Sequence, residues 1–256
     1  MTAAPVLVSA HRGGAGTQTD LENTRVALER AVALGVDYVE LDVRRCGDGT
    51  LVLVHDDWVL MGGHRRPIAD LTFEEFASRA DHFLSLDEAL EILEGRARVH
   101  LDLKFRSRGA QDEVAAVGRA VEVLGADDVL VTTGRVAAIR AVREWSDAGG
   151  LAVRAGLTVG GSVAGRPLRE QLRMRRGELS PHDRFEESGA NAVVANHWLA
   201  LAGVARFARR AGLPLVVWTV DDPVSLRWWL RPGRAWLVTT NHPDRALAIR
   251  DGRIGA

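Results

Sequence analysis

Short runs of apolar, mostly β-branched residues recur along the chain, separated by longer stretches whose apolar positions follow a helical period. The runs at 6–10, 38–43, 98–104 and 129–133 predict strands, as do those at 151–156, 191–196, 213–220 and 235–240. Such runs suit strands buried on both faces, as a parallel sheet covered by helices requires. Between them, 110–124, 135–147, 199–211 and 243–250 place apolar residues at helical spacing. Thr72 with Glu75, and Ser85 with Glu88, have the spacing of a capping box, in which the glutamate reaches back to a free backbone N–H. The charged stretch 166–178 reads as a solvated helix within an extended loop. Eight strand–helix units without a Pro/Gly/Ser-rich linker predict an α/β fold: one (β/α)8 TIM barrel, a single domain over 1–256, with a short insertion after the second strand. An open doubly wound sheet is the competing arrangement and would hold its ligand at a switch point in the strand order.

Composition narrows the partners. With 33 Lys+Arg against 34 Asp+Glu the chain has no broad basic face, which excludes nucleic-acid backbone as its main ligand. Hydrophobic and charged fractions of 46% and 26% are those of a globular protein. The single cysteine, Cys46, excludes an internal disulfide and a multi-cysteine zinc site. Apolar runs such as LPLVVW at 213–218 are too short for stable membrane insertion. The start MTAAPVLVSAHRGG lacks a basic segment and a long apolar core, so we expect no secretory signal and a cytoplasmic location. Of the 33 cations, 32 are arginine; Lys104 is the lone lysine.

In a barrel, chemistry collects at the C-terminal ends of the strands. The first strand ends in His11-Arg12-Gly13-Gly14, where the glycines allow a sharp turn and close approach to a ligand; by itself the motif also suits an ordinary turn. The second ends in Glu40-Leu41-Asp42. Residues i and i+2 share a face, so both carboxylates point into the barrel mouth, where either a cation or nearby arginines must offset their repulsion. An all-oxygen site suits Mg²⁺ or Ca²⁺ better than Zn²⁺. The segment 51–57 reads as a short strand doubling back to bring His55 and Asp56 to the same rim. Asp102 and Lys104 form a further i, i+2 pair on the third strand, and an ammonium offers a compact charge that a guanidinium does not. Later strands add Asn196, His197, Trp218, Asp221, Thr239, Thr240 and Asn241, each of which alone suits a structural role.

The order HRGG, ENT (22–24), ELDV (40–43), VHD (54–56), LDLK (101–104) and VWTVDDP (217–223) resembles the glycerophosphodiester phosphodiesterase family, from about residue 8 to residue 247. The resemblance implies a (β/α)8 barrel and metal-dependent hydrolysis of glycerophosphodiesters to glycerol 3-phosphate and an alcohol. It implies that Glu40, Asp42 and Asp102 hold one divalent cation, Mg²⁺ or Ca²⁺ with Mn²⁺ as a third candidate. His11 and His55 would carry proton transfer or nucleophilic attack, with neither yet assigned as acid or base. Arg12 and Lys104 would bind the phosphoryl oxygens, Asn23 would support the site, and Trp218 would line the substrate pocket. The partner expected is a small-molecule glycerophosphodiester.

Some positions depart from the family pattern. Asp102 stands where Glu is usual, Leu21 where Pro is, and Asn241 where a final Asp is common. The segment after His55 is short and lacks the usual Thr-Thr pair, which bears on substrate choice. The Asp-x-Lys pattern is similar to that of spider-venom phospholipases D, so lysophospholipase D-like cleavage of a lysolipid head group through a cyclic phosphate is an alternative. A non-catalytic phosphate-binding barrel and a Schiff-base aldolase using Lys104 are alternatives of other classes.

Overall fold

The computed structural model describes residues 4–105, 109–160 and 181–253, together with Pro167 and Arg169. Eight parallel strands close on themselves. They are β1 (Leu7–Ala10), β2 (Tyr38–Arg45), β6 (Arg98–Leu103), β7 (Val129–Thr133), β8 (Arg154–Val159), β9 (Ala192–Asn196), β10 (Leu215–Trp218) and β11 (Leu237–Thr240). Pairing of Leu7 with Leu237 and of Ser9 with Tyr38 joins β1 to both β11 and β2, which completes the barrel and excludes the open sheet. Three further strands lie between β2 and β6: β3 (Leu51–Leu53) pairs antiparallel with β2, and β4 (Trp58–Met61) with β5 (His64–Pro67) forms a separate hairpin. β3 is the strand expected to double back; the hairpin, steadied by Arg65 stacked 4.1 Å over Trp58, occupies the short insertion.

The helices are α1 (Arg25–Leu34), α2 (Phe73–Ala77), α3 (Leu86–Leu93), α4 (Gln111–Leu124), α5 (Val136–Ala148), α6 (His182–Ser188), α7 (Ala205–Ala211), α8 (Pro223–Trp229) and α9 (Pro243–Arg250). Both capping boxes form, with Glu75 and Glu88 returning to the N–H groups of Thr72 and Ser85. Several expected elements shift: β3 ends at Leu53, β10 shortens to Leu215–Trp218 and β11 begins at Leu237. β8 begins at Arg154 rather than 151, because Ser146 Oγ binds the Leu151 carbonyl and the Val153 N–H and so holds 151–153 in the exit from α5. The helix expected over 199–211 is regular only in α7; it is preceded by His197–Leu199 and a wide π turn, Ala200–Val204, broken at Gly203. The stretch 166–178 lies outside the described residues apart from Pro167 and Arg169.

The main core fills the space between the barrel and its helices, with Leu41, Leu101, Val131, Leu28, Leu90 and Ile139 fully buried. A second cluster of Tyr38, Leu130, Val194, Val216 and Leu237 fills the lower barrel interior. At the closed end Arg98 stacks on Tyr38 and Arg154 on Trp236. Burying a side chain of Leu or Ile size contributes about 1.5–3 kcal/mol, so these layers set the register of every strand. With that register fixed, inward positions change from apolar to polar toward the strands' C-termini: Leu7 to Ser9, Tyr38 to Glu40 and Asp42, Leu130 to Thr132, Leu237 to Thr239. The barrel is packed below and polar above.

Candidate active site

A cavity of about 350 Å³ opens at the C-terminal mouth, lined by His11, Arg12, Glu40, His55, His100, Asp102, Lys104, Trp218 and Thr239, with Leu103, Val194 and the threonines and glycines at the ends of β7 and β8 completing its wall. Its first edge is the turn after β1. Arg12 takes a left-handed conformation (φ 50°), a strained choice for a side chain of this size, held by two backbone bonds. Its N–H donates to Glu40 Oε2 at 2.7 Å and its carbonyl accepts from Asn23 N–H at 2.9 Å. Gly13 and Gly14 also have positive φ, and a Cβ would lie 2.8 Å from Ala27 Cβ at the first and 2.5 Å from Pro243 Cγ at the second. Glycine here lets α1 and α9 pack against the turn that presents His11.

Glu40, Asp42 and Asp102 bring one carboxylate oxygen each to within 4.8 Å of one another. Asp42 is buried and answered from three sides: Arg12 Nε at 2.9 Å, Lys104 Nζ at 3.1 Å and the Asn23 amide N–H at 3.2 Å. Asn23 Oδ1 in turn accepts the Asp42 N–H. Burial opposes charge on Asp42, but Lys104 and Arg12 outweigh it and hold its carboxyl below the usual range. Glu40 goes the other way. Burial, then repulsion from Asp42 and Asp102, raises its carboxyl well above the usual value. Such a site is short of positive charge at one oxygen, and a divalent cation among the three carboxylates would supply it. The donor set therefore fits a hard, oxygen-seeking ion.

Lys104 Nζ lies 2.7 Å from Asp102 Oδ2 as well as beside Asp42, and both carboxylates raise its pKa against the effect of burial. Arg12 reaches Glu22 at 2.7 Å with a second guanidinium nitrogen. The two cations are thus fixed at the carboxylates. Asn23 does not line the cavity; its amide is engaged with Asp42.

The two histidines differ. His11 is mostly buried, and its Nδ1 donates to Asn241 Oδ1 at 2.7 Å. The orientation of Asn241 follows from Asp221, a pure acceptor, which takes both the Asn241 amide N–H and its backbone N–H at 2.8 Å. With Nδ1 as donor, neutral His11 leaves an unprotonated Nε2, 3.9 Å from Glu40 Oε2. Burial, followed by the Arg12 charge, lowers its pKa below 6.5, against the Asn241 bond and Asp42. His55 stands exposed at the rim, with Nδ1 3.0 Å from Asp56 Oδ1. Arg44 donates to the carbonyls of both His55 and Lys104 and ties their segments together.

On the far wall Trp218 and Thr239 line the cavity, and Trp218 Nε1 and Thr239 Oγ1 are buried with no hydrogen-bond partner among the described residues. Asn196 and His197 stay outside the cavity: Asn196 caps the following turn through the Trp198 N–H, and His197 packs on Trp198. Ser9, His100 and Thr132, which the motif reading passed over, form a hydrogen-bonded group, of which His100 and Thr132 line the cavity. The i, i+2 rule applied backward from Asp102 reaches His100 and would have found it.

Fold and site together define a (β/α)8 barrel whose mouth joins three carboxylates, two cations and two histidines. The chain belongs to the glycerophosphoryl diester phosphodiesterase family, whose pattern matches residues 11–245. It is 30% identical over 126 residues to a glycerophosphodiester phosphodiesterase of Caldanaerobacter subterraneus subsp. tengcongensis, a match covering 49% of this chain and 43% of that protein. It is also 30% identical over 133 residues to a lysophospholipase D of Mus musculus, covering 45% and 39%. Both matches span less than half of the relative's length. An Oleispira antarctica phosphodiesterase, solved in complex with the product sn-glycerol-3-phosphate, shares the fold with a TM-score of 0.73 at 19% identity over 96% of this chain and 97% of that one. No helix among the described residues is long and apolar enough to cross a membrane.

Proposed function

We propose that this chain, read as one barrel domain over 1–256, hydrolyses glycerophosphodiesters to glycerol 3-phosphate and an alcohol. The observation that carries this is the pairing of one mostly buried and one exposed imidazole at a cavity lined by Glu40 and Asp102, with the buried Asp42 carboxylate within 4.8 Å of both. Mg²⁺, Ca²⁺ or Mn²⁺ held by Glu40, Asp42 and Asp102 would, when bound, draw charge from a phosphoryl oxygen. Arg12 and Lys104 meet the remaining negative charge, which grows as a nucleophile approaches phosphorus.

In this reading His11 is the base, because its tautomer leaves Nε2 free to take a proton. It removes the proton of the glycerol 2-hydroxyl, whose oxygen attacks phosphorus. The bond from phosphorus to the alcohol oxygen breaks, and His55, whose Nδ1 lies 3.0 Å from Asp56 Oδ1, protonates that oxygen. Water then opens the cyclic phosphate with the two histidines in exchanged roles, giving glycerol 3-phosphate. Trp218 and Thr239 offer donors to the glycerol or head-group oxygens. Every group this chemistry needs is present, which favours an enzyme over a phosphate-binding barrel, and a lysine paired with two carboxylates stays protonated, which disfavours a Schiff base. A cytoplasmic location belongs to the same reading.

Leu103, Val194 and Trp218 give the cavity an apolar wall, which supports lysolipids as a second substrate class. Incubation with glycerophosphocholine, glycerophosphoethanolamine, glycerophosphoinositol and lysophosphatidylcholine, with products resolved by mass, tests the proposal. We expect glycerol 3-phosphate from at least one deacylated substrate; lysophosphatidic acid alone would transfer the assignment to lysophospholipase D, and no product from any would refute both.

A further inference from the structure

Ser9 on β1, His100 on β6 and Thr132 on β7 are fully or almost fully buried, with His100 paired in register to Glu40 and Thr132 to Asp102. Three contacts link them to the site: Ser9 Oγ to His100 Nδ1 at 3.3 Å, His100 Nε2 to Thr132 Oγ1 at 3.1 Å, and Thr132 Oγ1 to Asp102 Oδ1 at 3.3 Å. The direction of the chain follows from its last member. An ionised carboxylate only accepts, so the single hydroxyl proton of Thr132 is donated to Asp102. Thr132 can then only accept from His100, which places the ring proton on Nε2. The remaining nitrogen of the neutral ring, Nδ1, accepts from the Ser9 hydroxyl. Each proton points toward Asp102.

Asp102 is thereby held at both oxygens, by Thr132 at Oδ1 and by Lys104 at Oδ2. Lys104 is also shared with Asp42 and sits on a flexible stem, so it fixes the charge balance more than the orientation. Thr132 is different. It is a β-branched residue with a stiff χ1, locked in the barrel wall, and its hydroxyl is committed by the histidine behind it. Glu40 and Asp42 have comparable anchors in the Arg12 N–H and the Asn23 amide.

We infer that Ser9, His100 and Thr132 are positioning residues whose directed hydrogen bonds set the Asp102 carboxylate for a divalent cation, and that Thr132 carries most of this effect. The inference rests on the cation-binding reading above. Partners behind a metal ligand typically change metal affinity by about 10–100-fold when removed. The test is titration of metal-free protein with Mn²⁺, with free ion followed by electron paramagnetic resonance, for wild type and variants. Thr132→Val, nearly isosteric, is expected to weaken Mn²⁺ binding by about tenfold or more. Thr132→Ser restores the hydroxyl and is expected to bind within about threefold of wild type. Should Thr132→Val not fold, His100→Leu is read in its place, with His100→Gln as its rescue, since a Gln amide can still donate to Thr132.

A purely architectural role would lower the unfolding temperature of the metal-free variants and leave the Mn²⁺ constant unchanged. Binding by Thr132→Val within about twofold of wild type would therefore overturn the inference while the cation site stands. Failure of wild type itself to bind Mn²⁺ would overturn the cation reading and this inference with it.

Discussion

Replacing Asn241 by leucine separates the tautomer of His11 from the rest of the site. In the wild type the 2.7 Å bond to Asn241 Oδ1 fixes the ring proton on Nδ1, and Asp221 fixes the amide. The leucine variant leaves a mostly buried ring N–H without an acceptor, and the competing tautomer, protonated on Nε2, can no longer accept a proton there. An unpaired buried donor costs about 1–3 kcal/mol, which corresponds to roughly 5–150-fold in rate if the productive tautomer bears the whole cost. The carboxylates, Arg12 and Lys104 are untouched, so we expect kcat for glycerophosphocholine to fall in that range with KM changed by less than about threefold. Asn241→Asp is the companion variant. A carboxylate still accepts from Nδ1 and keeps the tautomer, but it replaces the amide N–H that Asp221 accepted at 2.8 Å, so two carboxylates crowd together and the added negative charge beside the ring stabilises the imidazolium. In the wild type burial and Arg12 hold the His11 pKa below 6.5, so neutral base persists into mildly acidic solution. With Asp at 241 the pKa rises, and the acidic limb of the kcat/KM profile moves to higher pH. Unchanged kcat in Asn241→Leu, or an acidic limb displaced downward in Asn241→Asp, would refute the assignment of His11 as base.

Lys104→Arg keeps the charge but replaces a compact ammonium, 2.7 and 3.1 Å from two carboxylates, with a broader planar fork; turnover should drop about 100-fold, as a misplacement of about 1 Å can cause, and wild-type rates would remove the need for lysine. In chelator, His100 gives stability a pH dependence of defined sign. Burial pushes its pKa down to about 3, so above pH 6.5 it is neutral folded and unfolded, and below 6.5 only the unfolded chain gains the proton. Stability therefore falls by about 1.4 kcal/mol per unit as pH drops from 6.5 toward 3, and the advantage of wild type over His100→Gln should shrink by about 2 kcal/mol between pH 7 and 5 in urea denaturation; a constant difference would contradict this. Ser85→Ala removes half of the capping box of α3 and should cost about 1 kcal/mol in the same assay, with activity unchanged.

The barrel was legible because its strands are buried on both faces and read as continuous apolar runs. The site was legible because the i, i+2 rule places Glu40 with Asp42 and Asp102 with Lys104 whatever the detailed packing. Most of what was not legible in the site depended on partners distant in sequence. Asn241 lies 230 residues from His11, and no local pattern announces that its amide sets a histidine tautomer. Asn23 was expected only as support; its reciprocal clasp of Asp42 accompanies left-handed backbone at Arg12 in the turn after β1 and at Asn23 just before α1. The late start of β8 turns on one hydroxyl, Ser146, outcompeting the sheet for two backbone groups.

The central claim is that Glu40, Asp42 and Asp102 hold a cation needed to cleave a glycerophosphodiester at the His11–His55 cavity. The most direct measurement follows glycerol 3-phosphate by ³¹P nuclear magnetic resonance, using chelator-stripped protein and glycerophosphocholine before and after Mg²⁺, Ca²⁺ or Mn²⁺ is returned. We predict no product without the ion and turnover restored by at least one of the three, with Glu40→Gln inactive throughout. Turnover undiminished in chelator, or none with any of the three ions, would contradict it.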